Sequence, residues 1–209
     1  MGRKATFIKE EALQKALDVF WKKGYLATSV RDIAEATQLQ LASLYHAFGN
    51  KDALFSKVLE TYLTHFISPK LSELSESKTP LATLKEFFSQ VQNKVCDASS
   101  GDKGCFVINT VIELAGPEPK LAAQAMQGLK NIEDTFTRVL RRAQEQGEWP
   151  QDRDAYKTAR YLVQVLITLR LMARLNRSAQ EIEDYMSVAF AQFLPESPRT
   201  TKPQLASVR

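Results

Sequence analysis

The segment from Thr28 to Lys51, TSVRDIAEATQLQLASLYHAFGNK, constrains the fold of this chain more than any other. Apolar residues recur in it at helical spacing over two short stretches, and a polar break separates them. The side chains placed to pack together across the break are Val30, Ile33, Ala34, Leu39, Leu44 and Phe48. Two short amphipathic helices joined by a tight turn are typical of a helix-turn-helix, so this unit is predicted here.

The start of the first of these helices carries two candidate N-cap residues, Thr28 and Ser29. A hydroxyl at the N-cap accepts a hydrogen bond from an amide of the first turn, and the acidic residues Asp32 and Glu35 follow closely. The free amides and the helix dipole also favour a phosphate at this end. The sequence therefore leaves two roles open for these hydroxyls, helix capping and contact with a phosphate.

Another helix is predicted ahead of this unit, from Ile8 to Lys23. Its apolar residues form a stripe wide enough to pack on a core, and Gly24 supplies a left-handed stop. The three helices make a small N-terminal domain, which we place at residues 1–51. This stretch holds eight basic and five acidic side chains, a surplus consistent with phosphate contact but too small to identify a DNA-binding protein without the motif.

Along the chain these features come in the order helix, Gly24-Tyr25, TSVRDIA, LYHAF and GNK. This order over residues 8–55 resembles the N-terminal domain of the tetracycline-repressor (TetR) family of transcriptional regulators. The segment GCFVINT at residues 104–110 is similar to one subgroup of that family, which has a Gly-Cys-x-x-x-Asn-Thr pattern. The resemblance implies an all-α homodimer in which a larger C-terminal domain binds a small molecule and the N-terminal domain then releases operator DNA.

DNA contacts are predicted on the second helix of the motif, because that helix enters the major groove with its first residues at the base edges. Leu41 lies outside the core register, so we expect it to pack against a thymine methyl while Gln40 pairs with adenine; alternatively, Leu41 fills the seam between the helices. His46 either contacts DNA or is an ordinary surface histidine. By resemblance, Tyr45 and Lys51 contact phosphates. The predicted DNA-binding residues are Thr28, Ser29, Arg31, Gln38, Gln40, Leu41, Ala42, Ser43, Tyr45, His46 and Lys51.

Gln38 departs from the family pattern, because relatives usually carry glycine at this place in the turn. A glycine there would accept a left-handed backbone, which glutamine tolerates less well. We nevertheless expect the helix-turn-helix fold to be retained.

The rest of the chain is predicted to form the larger helical domain, at residues 52–194. A helix over 52–67 is expected to leave the N-terminal domain and to end near Pro69. Further helices are predicted over 81–96, 105–115, 119–146, 153–175 and 178–194. A polar turn is expected at 99–104, and the proline-containing tail at 195–209 is predicted to be disordered. No strand is expected.

The helix over 161–175 is apolar on nearly all sides, so part of its surface needs a cover from outside its own chain. The last helix offers a second apolar stripe. Pairing of both helices with their symmetry mates would form a four-helix interface, as in the family, and a two-fold dimer reads a two-fold operator. The alternative is a monomer with a thick core. The predicted interface residues are Leu162, Leu166, Leu169, Tyr185, Met186 and Phe190.

The effector is predicted to be a hydrophobic small molecule that binds among the inner helices of the larger domain. Asn109 and Glu113 stand four residues apart on an otherwise apolar helix, so both need polar partners. They either orient the ligand, or they bond to neighbouring backbone or flank the dimer. The aromatic candidates also suit a plain core. The predicted ligand-binding residues are Phe87, Phe88, Val91, Phe106, Asn109, Glu113, Met126 and Phe136.

Cys105 follows Gly104 at a predicted helix N-terminus, where the helix dipole favours a thiolate. It is therefore a candidate sensor of electrophiles or oxidants, and the alternative is a small buried hydrophobe. Cys96 and Cys105 are the only cysteines, and the sequence has no signal-peptide pattern, so a reducing cytoplasm is the expected compartment. No apolar run is long enough to span a bilayer, so no membrane role is expected.

Enzyme classes find no support, because His46 and His65 are the only histidines and no nucleophile is placed to pair with either. Neither a zinc-ligand spacing nor a glycine-rich phosphate loop occurs, so no metal and no cofactor are predicted. The leading prediction is a repressor that a small-molecule ligand releases from a palindromic operator. The alternatives are a constitutive DNA-binding protein without a ligand, a cysteine-based sensor, and a helical bundle that binds or converts a small molecule.

Overall fold

Helices make up the regular structure of the chain. The computed structural model describes residues 2–97 and 104–193, and no strand occurs within those ranges. The helices are α1 (Gly2–Lys23), α2 (Val30–Thr37), α3 (Leu41–Phe48), α4 (Lys51–Tyr62), α5 (Ser68–Glu76), α6 (Pro80–Cys96), α7 (Phe106–Leu114), α8 (Pro119–Glu145), α9 (Ala155–Arg174) and α10 (Ala179–Phe193). None of them combines the length and the apolar character that a bilayer span requires. The tail at 195–209 and the polar turn, apart from Gly104, lie outside the described residues.

The observed helices from α6 to α10 agree with the predicted ones to within about two residues at each end. α1 begins at Gly2 rather than at Ile8. The larger correction concerns Pro69, which does not end a helix. α4 passes into a π-helical turn, Leu63–Ile67, and α5 follows at once with Pro69 in its first turn. A proline is tolerated there because the first amides of a helix have no partner within it.

α8 fixes the position of α5 at both of its ends. At the π-helical turn, Gly128 of α8 faces Leu63, and a Cβ atom at residue 128 would lie 2.8 Å from a methyl carbon of that leucine. This glycine therefore permits the close approach of the two segments. At the end of α5, the guanidinium of Arg142 donates to the carbonyl oxygens of Ser75, in the last turn, and of Ser77, just after the helix. The connection between α5 and α6 is thereby held on α8.

Buried apolar side chains form two clusters, and their division does not follow the predicted domain boundary at residue 51. The head cluster joins α1, α2, α3 and α4 to α7 and to the start of α8. The body cluster joins α5, α6, the rest of α8, α9 and α10. Phe20 of α1 and Phe55 of α4 meet edge to face in the head cluster, with ring centroids 5.0 Å apart. The three N-terminal helices therefore share one core with α4 and α7.

Candidate nucleic-acid interface and effector cavity

The N-terminus of α2 is capped by Ser29 and not by Thr28. The Ser29 hydroxyl accepts from the Asp32 N–H (3.2 Å), and the Asp32 carboxylate accepts from the Ser29 N–H (2.7 Å), so the two residues form a capping box. Thr28 is only 1% exposed, and its hydroxyl donates to the carbonyl oxygen of Gly24 (2.5 Å). The predicted contact of Thr28 with DNA is corrected, because its hydroxyl is hydrogen-bonded inside the N-terminal domain. We call this domain, residues 1–51, the head.

Asp32 also ties α2 to the end of α1. The Nζ atom of Lys23 lies 2.6 Å from the Oδ1 atom of Asp32. The hydrogen bond from Lys23, together with those from Ser29, holds the pKa of Asp32 below its ordinary value. A negative charge at this place also suits the helix dipole. Ser29 and Asp32 at the start of α2 thus have their partners within the N-terminal domain itself.

The turn between α2 and α3 has a left-handed backbone at Gln38, with φ 60° and ψ 26°. The Gln38 N–H donates to the carbonyl oxygen of Glu35 (3.3 Å), and the Leu39 N–H donates to that of Ala34 (3.2 Å). This pair of bonds is a Schellman motif, in which glycine is the preferred left-handed residue. The glutamine adopts the conformation that a glycine would adopt, and the helix-turn-helix fold is retained as expected.

α3 presents one face to the head cluster and the other to the outside. Leu44 and Phe48 are buried, whereas Leu41 is 37% exposed and Tyr45 is 50% exposed. Leu41 therefore does not fill the seam between the helices, and its contact with a base stays a prediction. Gln40 is the N-cap residue of α3 but makes no side-chain hydrogen bond to the first turn. Side chains of the head thus leave the N-terminus of α3 uncapped.

The remaining predicted DNA-binding residues are accessible, with one of them partly covered. Lys51 is half-buried, with its Nζ atom 4.1 Å from the centre of the Tyr25 ring. The Tyr25 hydroxyl donates to Asp52 (2.5 Å), and burial followed by this hydrogen bond raises the pKa of Tyr25. The sequence pattern gave no signal for this support of Lys51. The exposed residues are Ser29, Arg31, Gln38, Gln40, Ala42, Ser43 and His46.

A cavity of about 250 Å³ lies where the two clusters meet. α1 contributes Trp21 to its wall, α4 contributes Tyr62, and α6 contributes Phe87 and Val91. The Trp21 ring meets the Tyr62 ring edge to face, with centroids 5.1 Å apart. We call it the effector cavity, after the ligand site that the sequence predicts. Part of its wall belongs to α1, the first helix of the head.

Two of the predicted ligand-binding residues, Phe87 and Val91, line the effector cavity. Phe88 and Phe136 are instead fully buried in the body cluster, with ring centroids 5.7 Å apart. Met126 lies on the outside of α8 and is 46% exposed. The predictions that Phe88, Phe136 and Met126 bind the ligand are therefore corrected. Helical spacing indicates which side chains are buried, but it does not show which of them line a cavity.

Glu113, Asn109 and Phe106 lie at a different depression of about 320 Å³, between the end of α1, α7 and α9. The Glu113 carboxylate accepts from the N–H of Tyr25 (3.0 Å) and from that of Leu26 (2.8 Å). Of the roles that the sequence left open for Glu113, bonding to backbone is the one observed. The bonded backbone belongs to the head, about 90 residues away along the chain. Glu113, Asn109 and Phe106 therefore do not line the effector cavity, and a role of theirs in ligand binding stays a prediction.

Cys105 is the N-cap residue of α7 and borders the effector cavity. It is buried within the head cluster, as expected if Cys105 is a small buried hydrophobe. The Tyr62 hydroxyl donates to its Sγ atom (3.7 Å), and burial is the first cause of a raised pKa at Tyr62. A molecule in the cavity would therefore lie beside both the thiol and the phenol.

Most of the predicted dimer residues belong to the chain's own core. Leu162, Leu166, Leu169 and Met186 are buried in the body cluster, so their assignment to a dimer interface is corrected. The physical reason is that α6, α8 and α10 already cover α9 on several sides. Tyr185 and Phe190 of α10 are partly buried. The large apolar side chains that stay exposed on or next to these two helices are Tyr156, Tyr161, Leu171, Leu175 and Val188.

Two family descriptions match this architecture. Residues 12–58 match "Bacterial regulatory proteins, tetR family", and residues 80–189 match "Tetracyclin repressor-like, C-terminal domain". The first match covers α2, α3 and most of α4, and the second begins at α6 and includes the parts of α6, α7, α8 and α9 that line the effector cavity.

Known proteins resemble the chain over most of its length. The transcriptional repressor ComR of Escherichia coli (strain K12) is 31% identical over 183 residues, 87% of this chain and 86% of the relative. The uncharacterised regulator YezE of Bacillus subtilis (strain 168) is 29% identical over 192 residues, 91% of this chain and 98% of the relative. The fold is similar to that of a cysteine mutant of the TetR-family regulator CifR solved with operator DNA, with a TM-score of 0.78, 23% identity and coverage of 88% of this chain and 95% of that one. On this evidence the chain belongs to the tetracycline-repressor family of DNA-binding transcriptional regulators, which are not enzymes.

Proposed function

We propose that this regulator is a homodimeric repressor that a small molecule in the effector cavity releases from a two-fold operator. The observation that carries the proposal is the position of the cavity, because Trp21 of α1 forms part of its wall together with residues of the body helices. A ligand that favours one arrangement of this wall also favours one position of the head. The mechanism is a population shift between dimers whose recognition helices fit two half-sites and dimers whose helices do not.

The dimer would use the outer faces of α9 and α10. Tyr161, Leu171 and Val188 stay exposed there although each is a large apolar side chain. Pairing of these faces about a two-fold axis would bury them and would place two copies of α3 on one side of the assembly. Tyr185 and Phe190, which are partly buried, would border the same interface.

We also assign the chain to the subgroup with a Gly-Cys-x-x-x-Asn-Thr segment, here Gly104 to Thr110. Two features support this finer assignment. Cys105 is the N-cap residue of α7 at the wall of the effector cavity, and the buried hydroxyl of Thr110 donates to the carbonyl oxygen of Phe106 (2.8 Å). The segment thus shapes the helix that lies between the cavity and the head.

Selection of bound sequences from a random duplex pool tests the DNA-binding part of this proposal. The expected product is a palindromic site with A·T pairs beneath Gln40 and Leu41, bound by a dimer in analytical ultracentrifugation. A chain that prefers no duplex over random competitor at moderate salt, or that sediments as a monomer, would overturn the proposal.

Titration of the selected duplex with and without a small-molecule library tests release. At least one compound should weaken operator binding by roughly 5- to 150-fold, the usual range of allosteric coupling. The test variant is Val91→Phe, in which the larger side chain narrows the cavity. This variant should keep the operator affinity of the parent but should no longer be released from the operator by the compound. If operator binding is tight and no compound binds the folded protein, the chain is a constitutive DNA-binding protein.

Cys105 supports a second candidate function, the sensing of electrophiles. Its thiol borders the effector cavity next to the Tyr62 hydroxyl. Among structures of similar fold, one is a cysteine mutant of CifR and another is the reduced form of Escherichia coli NemR, at 16% identity and a TM-score of 0.77. Exposure to N-ethylmaleimide should then abolish operator binding by the parent protein and not by Cys105→Ser, with Cys96→Ser as the control. Equal responses of parent and Cys105→Ser would end this candidate.

A further inference from the structure

A carboxylate of the larger domain is hydrogen-bonded to the backbone that follows α1. Oε2 of Glu113 accepts from the N–H of Tyr25 (3.0 Å), and Oε1 accepts from that of Leu26 (2.8 Å). Hydrogen bonds to an ionised carboxylate are roughly twice as strong as those between neutral groups. The contact joins α7 to the loop that leads from α1 to the helix-turn-helix.

Gly24 provides the backbone conformation and the space that this contact requires. It follows the last residue of α1 with a φ of 83°, in the left-handed region that favours glycine. A Cβ atom at residue 24 would lie 2.7 Å from Oε1 of Glu113 and 2.8 Å from Oε2. A side chain there would therefore push the carboxylate off the two amides. The contact depends on the residue at position 24 as well as on Glu113.

The loop that Glu113 contacts is bonded internally and leads directly to α2. The N–H of Thr28 donates to the carbonyl oxygen of Tyr25 (3.2 Å), and the Thr28 hydroxyl donates to that of Gly24 (2.5 Å). Ser29, the next residue, caps α2. The backbone that Glu113 holds is thus part of the same bonded turn that starts the helix-turn-helix.

Apolar packing also joins the head to α7, but it constrains the head in a different way. The Phe106 ring of α7 lies against the Trp21 ring of α1, with centroids 6.2 Å apart. Burial of apolar surface has no preferred direction, whereas a hydrogen bond weakens steeply when its angle is bent. The packing therefore keeps the head on α7, and the two bonds of Glu113 fix its orientation there.

α7 connects this contact to the effector cavity. Cys105, the N-cap residue of α7, and Ile108 line the cavity, and Glu113 lies near the other end of the helix. The nine residues of α7 span about 13 Å. A shift of about 1 Å, which is common for helices in allosteric transitions, would lengthen both bonds of Glu113 beyond hydrogen-bonding distance.

From these contacts we propose that Glu113 is a positioning residue for operator binding. It fixes the orientation of each head on α7, and its two bonds to the head break when an effector displaces that helix. This role of Glu113 rests on the proposed function, because it requires a two-fold operator and an effector in the cavity. It adds the residue through which the cavity and the head are coupled.

Glu113→Gln tests this role with little change of shape. One amide oxygen keeps one of the two bonds, and the new NH₂ group cannot accept the other. Exchange of the Tyr25 and Leu26 amide hydrogens, followed by NMR, should become faster. Affinity for the full operator, measured by fluorescence anisotropy without effector, should fall about fivefold or more, because heads that are not held in orientation lose more freedom on binding two half-sites.

A duplex that carries a single half-site distinguishes positioning from plain destabilisation. Glu113→Gln should bind it as well as the parent does, whereas a head that is partly unfolded would lose affinity for both duplexes. Glu145→Gln is the control, because Glu145 lies exposed at the end of α8, away from the head. Circular dichroism spectra that match the parent establish that each variant folds. Unchanged affinity for the full operator, or equal losses on both duplexes, would overturn the role of Glu113.

Gly24→Ala breaks the same contact from the other side. Its matched control is Gly147→Ala, because Gly147 also has a left-handed backbone, with a φ of 73°, but a Cβ atom there meets nothing within 4 Å. Both variants carry the strain of alanine at positive φ, and only Gly24→Ala displaces the carboxylate. Gly24→Ala should therefore lower the ratio of full-operator to half-site affinity about fivefold or more, and Gly147→Ala should leave it unchanged.

A double-mutant cycle shows whether the two residues act through one contact. Glu113→Ala removes the carboxylate, so adding Gly24→Ala to it should lower the affinity ratio no further. If Gly24→Ala lowers the ratio equally in the parent and in Glu113→Ala, the two residues act independently and the proposal is overturned.

A compound that releases the parent from its operator tests the coupling to the cavity. In Glu113→Gln this compound should weaken operator binding by a factor at least about threefold smaller than in the parent, because the heads are already less well held. Equal release of the two proteins would overturn the coupling through Glu113 and leave the release mechanism intact. If no compound releases the parent, or no two-fold duplex is preferred, the proposed function fails, and the coupling role of Glu113 fails with it.

Discussion

α2 and α3 are equally long, and each buries two side chains four residues apart, but their N-termini differ. α2 begins with a capping box between Ser29 and Asp32, which Lys23 reinforces from α1. α3 begins at Gln40 without any side-chain hydrogen bond to its first turn, and its first residue, Leu41, points outward. The first amides of a helix need partners from outside the helix. In α2 the side chain of Ser29 is such a partner. In α3 the N-cap side chain is not, which leaves the N-terminus of this helix for the predicted contact with DNA.

Packing and the predicted DNA contacts therefore lie on separate parts of the same short helix. Leu44 and Phe48 hold α3 on the head cluster, while Gln40, Leu41 and Tyr45 make no contribution to that core. Substitutions on the two faces should therefore have separable effects on stability and on DNA binding.

The largest effect is expected within α3. Leu44→Ala should lower the free energy of unfolding by about 2–5 kcal/mol, because it leaves a cavity where a buried leucine side chain packs in the core. Leu41→Ala should change it by less than about 0.5 kcal/mol, because the side chain is partly in solvent. Urea unfolding measures both, and duplex selection should show altered base preference for Leu41→Ala alone. Similar losses of stability in the two variants would break the division of α3 into two faces.

The next effect compares the two N-termini directly. Ser29→Ala should cost about 1 kcal/mol of stability through the lost cap, with operator affinity retained. Gln40→Ala should cost no more than a few tenths of a kcal/mol, because Gln40 caps nothing, but it should weaken operator binding. Thermal unfolding and anisotropy on the same samples provide the two readouts. A reversed pattern would mean that α2 and not α3 meets the DNA.

A smaller effect is expected at the turn between the helices. Gln38→Gly should raise the free energy of unfolding by roughly 0.5 kcal/mol, because release of left-handed strain slightly exceeds the added freedom of the unfolded chain. Gln38→Val should lower it by about 1 kcal/mol or more, since a β-branched residue is disfavoured at positive φ. Urea unfolding measures both changes. A stabilised Gln38→Val protein would contradict the observed backbone at this residue.

The smallest effect is the pH dependence of the α2 cap. The pKa of Asp32 is lower in the folded chain than in the unfolded one, so its contribution to stability is full above the unfolded value near pH 4. That contribution is lost as the pH falls from there through the folded pKa. The stability difference between the parent and Asp32→Asn should therefore shrink below about pH 4. A difference that is constant from pH 7 to pH 3 would show that the charge of Asp32 does not support the cap.

Local patterns predicted the parts of this molecule that depend on neighbours along the chain. Helical spacing identified the buried face of α3 and the exposure of Leu41, and residue type limited the cap of α2 to Thr28 or Ser29. Contacts across the chain were beyond such patterns. An apolar stripe shows that Leu162 and Leu169 are buried but not whether a second copy or the same chain covers them. Likewise, no spacing rule relates Glu113 to amides near residue 25, or places Lys70, Lys94 and Arg170 around one cavity.

The contact between Glu113 and the end of α1 limits how freely heads can be exchanged among regulators. A chimera that grafts a foreign N-terminal domain onto this body would place a new residue opposite the carboxylate. Any side chain at position 24 would displace that carboxylate, and even a glycine there would serve only if the two amides after it point the same way. Designers of synthetic gene circuits who recombine these parts would therefore need to transplant α1, its glycine and α7 as one unit.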